Sequence, residues 1–152
     1  MVPRVYVDTS VFGGCLEAEF RTPSNRLLAA CERGALRLVI SEMTIAELEA
    51  APDEVRGILR QVPTDEVELL LVTPEADELA AAYLADGAIG ARMRADALHI
   101  AAATIARVDV LVSWNFRHIV NLQRIHAYNS VNLKRGYPLL EIRTPREVVP
   151  HE

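Results

Sequence analysis

The sequence predicts a single three-layer α/β/α domain on a mostly parallel sheet of four or five strands. Three observations carry that expectation. Short apolar runs at residues 4–7, 36–40 and 110–112 are separated by longer stretches of helical character. An alanine-rich helix led by Asp96 feeds straight into the run at 110–112, which is half of a parallel α/β unit. The runs also stop abruptly in polar residues: Asp8-Thr9-Ser10 after the first, Ser113 and Asn115 after the last. Helices in such units run antiparallel to the strands, so helix N-termini and strand C-termini share one sheet edge. Asp96 and Asn115 are therefore expected close together, at the edge where open α/β sheets bind ligands.

Residues 4–7 form the first strand. Residues 12–20 are ambiguous, loosened by Gly13-Gly14. Pro23-Ser24-Asn25 opens a helix through Arg33 that Gly34 ends. The strand at 36–40 is followed by Ser41 as an N-cap and a helix from Glu42 to about Ala50, with Glu47 about two turns inside. Pro52 begins a further helix, which Pro63 ends. Residues 67–72 read as a short strand or a buried linker. Pro74 starts a helix with Glu75, Asp77 and Glu78 in its first turn, favourable to the helix dipole, and Asp86-Gly87 stops it. After the Asp96 helix and the strand at 110–112, residues 121–128 look helical and 129–136 look like a polar connection. Residues 138–143 form the last strand, at an edge given Pro138 and its charges. No repeat or linker interrupts the chain, so residues 1–148 are expected to be one domain and 149–152 a short tail.

At 152 residues the chain is long enough for one domain with a real core. Apolar residues make up 51% and aromatics only 5%, so that core is built from Leu, Val, Ile and Ala. No run reaches the ~18 apolar residues that a membrane span needs. The N-terminus lacks a signal-peptide pattern, and Cys15 and Cys31 show no metal spacing, which suits reduced thiols in a cytoplasmic protein. A formal charge of −5 argues against a generic nucleic-acid coat protein. It leaves room for an enzyme whose acidic site reaches phosphates through bound cations.

Three acids occupy comparable places: Asp8 after the first strand, Glu47 in the helix after the second, and Asp96 at the head of the helix before 110–112. All can converge on one carboxyl edge. Clustered carboxylates repel, and persist only with protons or cations between them. Hard oxygen ligands with open positions suit Mg²⁺ or Mn²⁺, and two such ions about 3.5–4 Å apart serve phosphodiester hydrolysis. Taken singly, Asp8 also reads as a cap for the next turn, and Glu47 more readily as a solvated charge than as a ligand.

Four ordered motifs add specificity. Val-Tyr-Val-Asp-Thr-Ser, Ile-Ser-Glu-Met-Thr-Ile-Ala-Glu-Leu, Ala-Asp-Ala-Leu-His-Ile-Ala-Ala-Ala and Leu-Val-Ser-Trp-Asn-Phe together resemble the PIN-domain family over nearly the whole chain. The likeness is strongest to the VapC-type toxin ribonucleases of VapBC toxin–antitoxin pairs. It implies a Mg²⁺- or Mn²⁺-dependent endoribonuclease with Asp8, Glu47 and Asp96 as metal-binding acids. Ser113 matches the family's Thr in its Thr-x-Asp/Asn motif, and Asn115 the fourth acidic position. It also implies an RNA substrate, a homodimer formed away from the site, and a small antitoxin whose tail places a basic side chain in the acidic pocket. The sequence departs from the family at Asn115, which is neutral, and at His118-Ile119, where many members carry Asp-Phe. An amide still accepts hydrogen bonds but neutralises no cation. A PIN-like module that binds RNA or protein without chemistry is the alternative, and a nuclease of RNA processing a third.

Thr9 and Ser10 accompany Asp8 as candidate contacts to substrate. His99, one turn beyond Asp96, reads first as a core histidine or a partner of the metal ligands. His118 follows the strand end and is a candidate contact for phosphate. Arg92, Arg94 and Arg117 flank the same edge and either hold RNA phosphates or are solvated. Trp114 either packs or stacks on a base. No Gly-x-Gly-x-x-Gly or phosphate-loop motif is present, and Asp8-Thr9-Ser10 lacks the second Asp of aspartyl phosphatases.

Overall fold

A computed structural model describes residues 1–148; the expected tail at 149–152 lies outside the described residues. Five strands, β1 (Arg4–Val7), β2 (Arg37–Ser41), β3 (Val67–Leu70), β4 (Val110–Val112) and β5 (Ile142–Arg143), form one sheet in the order β3-β2-β1-β4-β5. Every pairing is parallel.

Alternation along the strands builds the two cores. Tyr6, Val39, Leu111 and Ile142 point to one face and pack with helices α5 (Pro74–Ala85), α6 (Arg94–Ile105) and α7 (Leu122–Lys134). Val5, Val7, Leu38, Ile40 and Val112 point to the other face. They pack there with α1 (Thr9–Gly14), α2 (Arg21–Glu32), α3 (Glu42–Glu49) and α4 (Asp53–Arg60). A last turn, α8 (Pro145–Val148), closes this side. The three-layer α/β/α architecture is as expected.

Local signals place most elements. Ser41 caps α3 by accepting from the Met43 amide, and the Ser41 amide donates to Thr44 Oγ1, closing a capping box. Thr73 caps α5, with Pro74 in its first turn. Gly34 takes a φ of +78° behind α2.

Four expectations change. The ambiguous stretch after β1 begins as the helix α1, and α2 starts at Arg21, two residues before Pro23. The polar connection at 129–136 instead continues α7 to Lys134, because Asn132 is buried against Tyr83 and Thr104 and Val131 joins the core. The last strand shrinks to Ile142–Arg143.

Gly14 is buried where α1 passes Trp114. A Cβ there would stand 2.7 Å from both Trp114 Nε1 and Ser24 Oγ, which are themselves hydrogen-bonded at 2.8 Å. Gly14→Ala is expected to destabilise by about 1–3 kcal/mol through overpacking. Urea unfolding measures the loss, and the emission of Trp114, the chain's one tryptophan, reports its displacement.

Among the described residues no helix is long and apolar enough to cross a membrane.

Candidate active site

The chain leaves the central β1 outward to β2 and β3, then returns to β4 and β5 on the other side. The crevice between the carboxyl ends of β1 and β4 lies at this reversal, the position where open α/β sheets bind ligands. Asp8 emerges from β1 there, and Ser113, Trp114 and Asn115 from β4. The Asp8 amide donates to the Val112 carbonyl at 3.4 Å, so the strand pairing carries past Val7 and holds the two strand ends together.

Asp8 is only 5% exposed. Its Oδ1 accepts from Ser10 Oγ at 2.6 Å and its Oδ2 from Ser113 Oγ at 2.8 Å. Each hydroxyl is fixed in turn by a backbone amide: that of Trp114 on Ser10 Oγ and that of Asn115 on Ser113 Oγ, both at 2.9 Å. Asp8 precedes α1, yet its side chain makes no cap hydrogen bond. It is turned into the crevice, so the reading of Asp8 as a mere cap does not hold.

Glu47 is half-buried on α3. Its Oε1 accepts from Thr9 Oγ1 at 2.8 Å and lies 2.6 Å from His99 Nε2. The other His99 nitrogen lies 2.6 Å from the Tyr6 hydroxyl, which lies 2.8 Å from Ser41 Oγ. A buried chain thus ties α3, α6, β1 and the end of β2 together. His99 holds an acid in place, while Tyr6 and Ser41 are members that sequence reading missed; a tyrosine between two valines was the only hint.

Asp96 sits in the first turn of α6, where a carboxylate is favourable to the helix dipole. Asn115 Nδ2 donates to Asp96 Oδ2 at 3.4 Å, and Asn115 Oδ1 accepts the His118 amide at 2.9 Å. One amide therefore steadies an acid and a turn at once, a double role that a carboxylate could not play. His118 Nδ1 is buried without a hydrogen-bond partner among the described residues.

Charge explains the arrangement. Burial pushes the Asp8 carboxyl above its ordinary value; His99, Ser10 and Ser113 oppose this, and Asp96 adds to it. Burial likewise raises Asp96, opposed by His99 and His118 and reinforced by Glu47. Glu47 goes the other way: burial raises it, but the hydrogen bond and charge of His99, with Thr9, outweigh burial and leave it lowered. For His99, burial favours the neutral ring, yet the Glu47 hydrogen bond and the charges of Asp8, Glu47 and Asp96 raise it overall. One imidazole ring facing three acids leaves the crevice short of positive charge.

Among the described residues no three His, Cys, Asp or Glu side chains group closely enough to hold a metal ion between them. Mg²⁺ does not need such a cage, because it keeps several waters and is bound through one or two carboxylates together with substrate phosphates. The donors here are hard oxygens, and a cation offsets both the burial that chiefly raises Asp8 and Asp96 and the smaller repulsion among the acids. The residues fit a hydrated divalent ion.

The remaining candidates divide. Thr9, Ser10 and Ser113 join the cluster through the contacts above. Arg117 is exposed beside it, whereas Arg94 donates to Asp77 at 3.0 Å. Trp114 packs: it is 6% exposed and stacked on Phe20 at 4.2 Å.

A family profile described as "PIN domain" matches residues 4–117. No curated protein matches the chain. Among solved structures, one similar chain is Mycobacterium tuberculosis VapC20, described as a sarcin-ricin loop cleaving toxin. It has 16% identity and a TM-score of 0.55, over 70% of this chain and 86% of that one. Another is VapBC2 from Rickettsia felis, bound to a DNA fragment from its promoter. It has 14% identity and a TM-score of 0.54, over 93% of this chain and 98% of that one.

Proposed function

The chain belongs to the PIN domain family, and on that premise we propose that it is a metal-dependent endoribonuclease, the toxin of a toxin–antitoxin pair. The observation that carries the chemistry is the buried Asp8 beside Asp96 at the β1/β4 switch, both held above their ordinary carboxylate range. Similar solved chains that are described as a loop-cleaving toxin and as a VapBC complex support the biological setting.

Asp8, Asp96 and Glu47 are the residues that would hold Mg²⁺ or Mn²⁺. Such an ion supplies Lewis-acid polarisation of a phosphate oxygen and acidifies water for attack. The chain's own groups do the positioning. Ser10 and Ser113 aim both Asp8 oxygens, Thr9 and His99 aim Glu47, and Asn115 steadies Asp96. Arg117 is exposed at the rim and can attract RNA phosphates. His118, with an uncommitted buried nitrogen, is a candidate contact to phosphate. Arg94 is left as an outer charge by its ion pair with Asp77.

The rest of the proposal is a single PIN-like nuclease domain over residues 1–148, acting in the cytoplasm. Its partners are a second copy docked through helices away from the crevice and a small antitoxin that places a basic side chain among the acids. Co-expression with the neighbouring small open reading frame tests the partner: relief of toxicity and co-purification are expected.

RNA cleavage by the purified protein in Mn²⁺, Mg²⁺ or EDTA tests the chemistry. Activity that persists in EDTA overturns it. A second reading, a module that binds RNA or protein without cutting, is favoured by the neutral Asn115 and by the missing three-ligand cage among the described residues. Asn115 separates the two. Asn115→Ala is expected to lower cleavage about 10–100-fold, as loss of a group that orients a metal ligand does. Asn115→Asp loses the donor to Asp96 but adds charge, and is expected to bind Mn²⁺ more tightly than wild type. Calorimetric Mn²⁺ titration reads the order. Binding by Asn115→Asp but not by wild type would favour the non-cutting module.

A further inference from the structure

Tyr6 stands on the central strand β1, two residues before Asp8, and is fully buried. Its register partners on β2 and β4 are Val39 and Leu111, so strand packing alone asks for an apolar side chain there. A buried hydroxyl without a partner is costly, and this one has two. It lies 2.8 Å from Ser41 Oγ, at the N-cap of α3, and 2.6 Å from His99 Nδ1 on α6. The Tyr6 and His99 rings also meet edge to face, with centroids 5.7 Å apart. Helix α3 carries Glu47, and the other nitrogen of His99 holds Glu47 Oε1. One phenol therefore touches both supports of the same acid without touching the acid.

The contacts of Thr9 and His99 with Glu47 both fall on Oε1. Among the described residues Oε2 accepts no hydrogen bond, which leaves that oxygen for a cation. Turning the His99 ring would carry the Glu47 carboxylate with it, and the anchor against turning is Nδ1 on Tyr6. A phenol both donates and accepts, so it holds Nδ1 with or without a proton there. Burial pushes the Tyr6 hydroxyl above its ordinary range, so it keeps its own proton. Phenylalanine would fill the same space and leave the ring free.

We infer that Tyr6 is a positioning residue for the cation: through His99 and the start of α3 it sets where Glu47 Oε2 stands, and with it the affinity for metal. This rests on the metal-dependent reading and adds to it a residue of the core.

The test is Tyr6→Phe in the full chain, with Tyr83→Phe as control. Tyr83 is as deeply buried, and its hydroxyl bonds to Asn132 on α7 rather than to an acid or an acid's partner. Urea unfolding in EDTA is expected to show similar losses for the two, since each gives up a buried hydroxyl. Calorimetric Mn²⁺ titration should separate them. Tyr6→Phe is expected to bind about tenfold more weakly, as loss of a partner behind a metal ligand does, and Tyr83→Phe as wild type does. On a Glu47→Gln background Tyr6→Phe should cost nothing further, because the two act through one group. Cleavage by Tyr6→Phe should recover as Mn²⁺ is raised in proportion, with KM for RNA unchanged. Ser41→Gly keeps a tolerated N-cap and removes the hydroxyl on Tyr6, so it reads the same chain from its far end and should weaken Mn²⁺ binding too. Unchanged Mn²⁺ affinity in Tyr6→Phe, or in Ser41→Gly if Tyr6→Phe does not fold, overturns the positioning role while binding by wild type keeps the metal site. Equal losses in Tyr6→Phe and Tyr83→Phe, or an undiminished loss on the Glu47→Gln background, overturn it as well. A wild type that binds no Mn²⁺ overturns both.

Discussion

Asp8→Asn is expected to reduce RNA cleavage by about a thousandfold or more while leaving the metal-free protein as stable as wild type, or more so. The two halves have one cause. Asp8 is buried and its carboxyl is raised above the ordinary value, so ionising it costs more in the folded protein than in the unfolded chain. Its favourable contribution is therefore complete below the ordinary Asp value of 3.8 and lost as pH rises through the folded value. Once ionised, the buried carboxylate is a net cost, which the amide removes while still accepting from Ser10 or Ser113. That same charge is what attracts a divalent ion, whose contact supplies several kcal/mol to the reaction; about 1.4 kcal/mol is tenfold in rate. Cleavage rates in Mn²⁺ with parallel urea unfolding in EDTA read both halves. A variant that loses stability in step with activity would make Asp8 structural.

His99→Ala is expected to have the largest effect on stability, about 2–4 kcal/mol. The ring is 1% exposed and bridges Glu47 and Tyr6, so truncation leaves a cavity and strips a partner from buried Tyr6 and half-buried Glu47. The Glu47 side chain is 36% exposed, and water screening keeps the figure below that for a fully buried ion pair. The loss depends on pH. His99 is raised in the folded protein above its ordinary 6.5, so its charged contacts contribute fully below that value and fade as pH rises through the folded one. Unfolding at about pH 6 and about pH 9 should show the larger penalty at the lower pH. Cleavage should fall as well, because Glu47 loses the contact that aims it. An equal penalty at both would make His99 an uncharged core residue.

Short-range chemistry settled much in advance. Buried parallel strands must be apolar along their length, so the ends of β1, β2 and β4 were visible as a switch from Val or Ile to Asp or Ser. Asp8, Ser113 and Asn115 could be read as edge residues for that reason. Helix direction then brought Asp96 to the same edge, and the structure has it bonded to Asn115. Boundaries failed where polarity misled. Residues 129–136 look like a loop in composition, but Asn132 satisfies its amide against Tyr83 and Thr104, and the helix runs on.

Fold class, the ends of β1, β2 and β4, the Ser41 cap and the acidic inventory depend on neighbours within a turn or a strand, and the sequence by itself determined them. Which atoms meet did not follow. Glu47 and His99 lie 52 residues apart, and no spacing within either helix shows that Glu47 is half-buried on an imidazole rather than solvated. Trp114 could have stacked on a base until the packing of Phe20, Ser24 and Gly14 filled its surroundings. Burial, protonation and orientation belong to the assembled molecule, because each depends on dielectric and on partners that only the closing of three layers brings together.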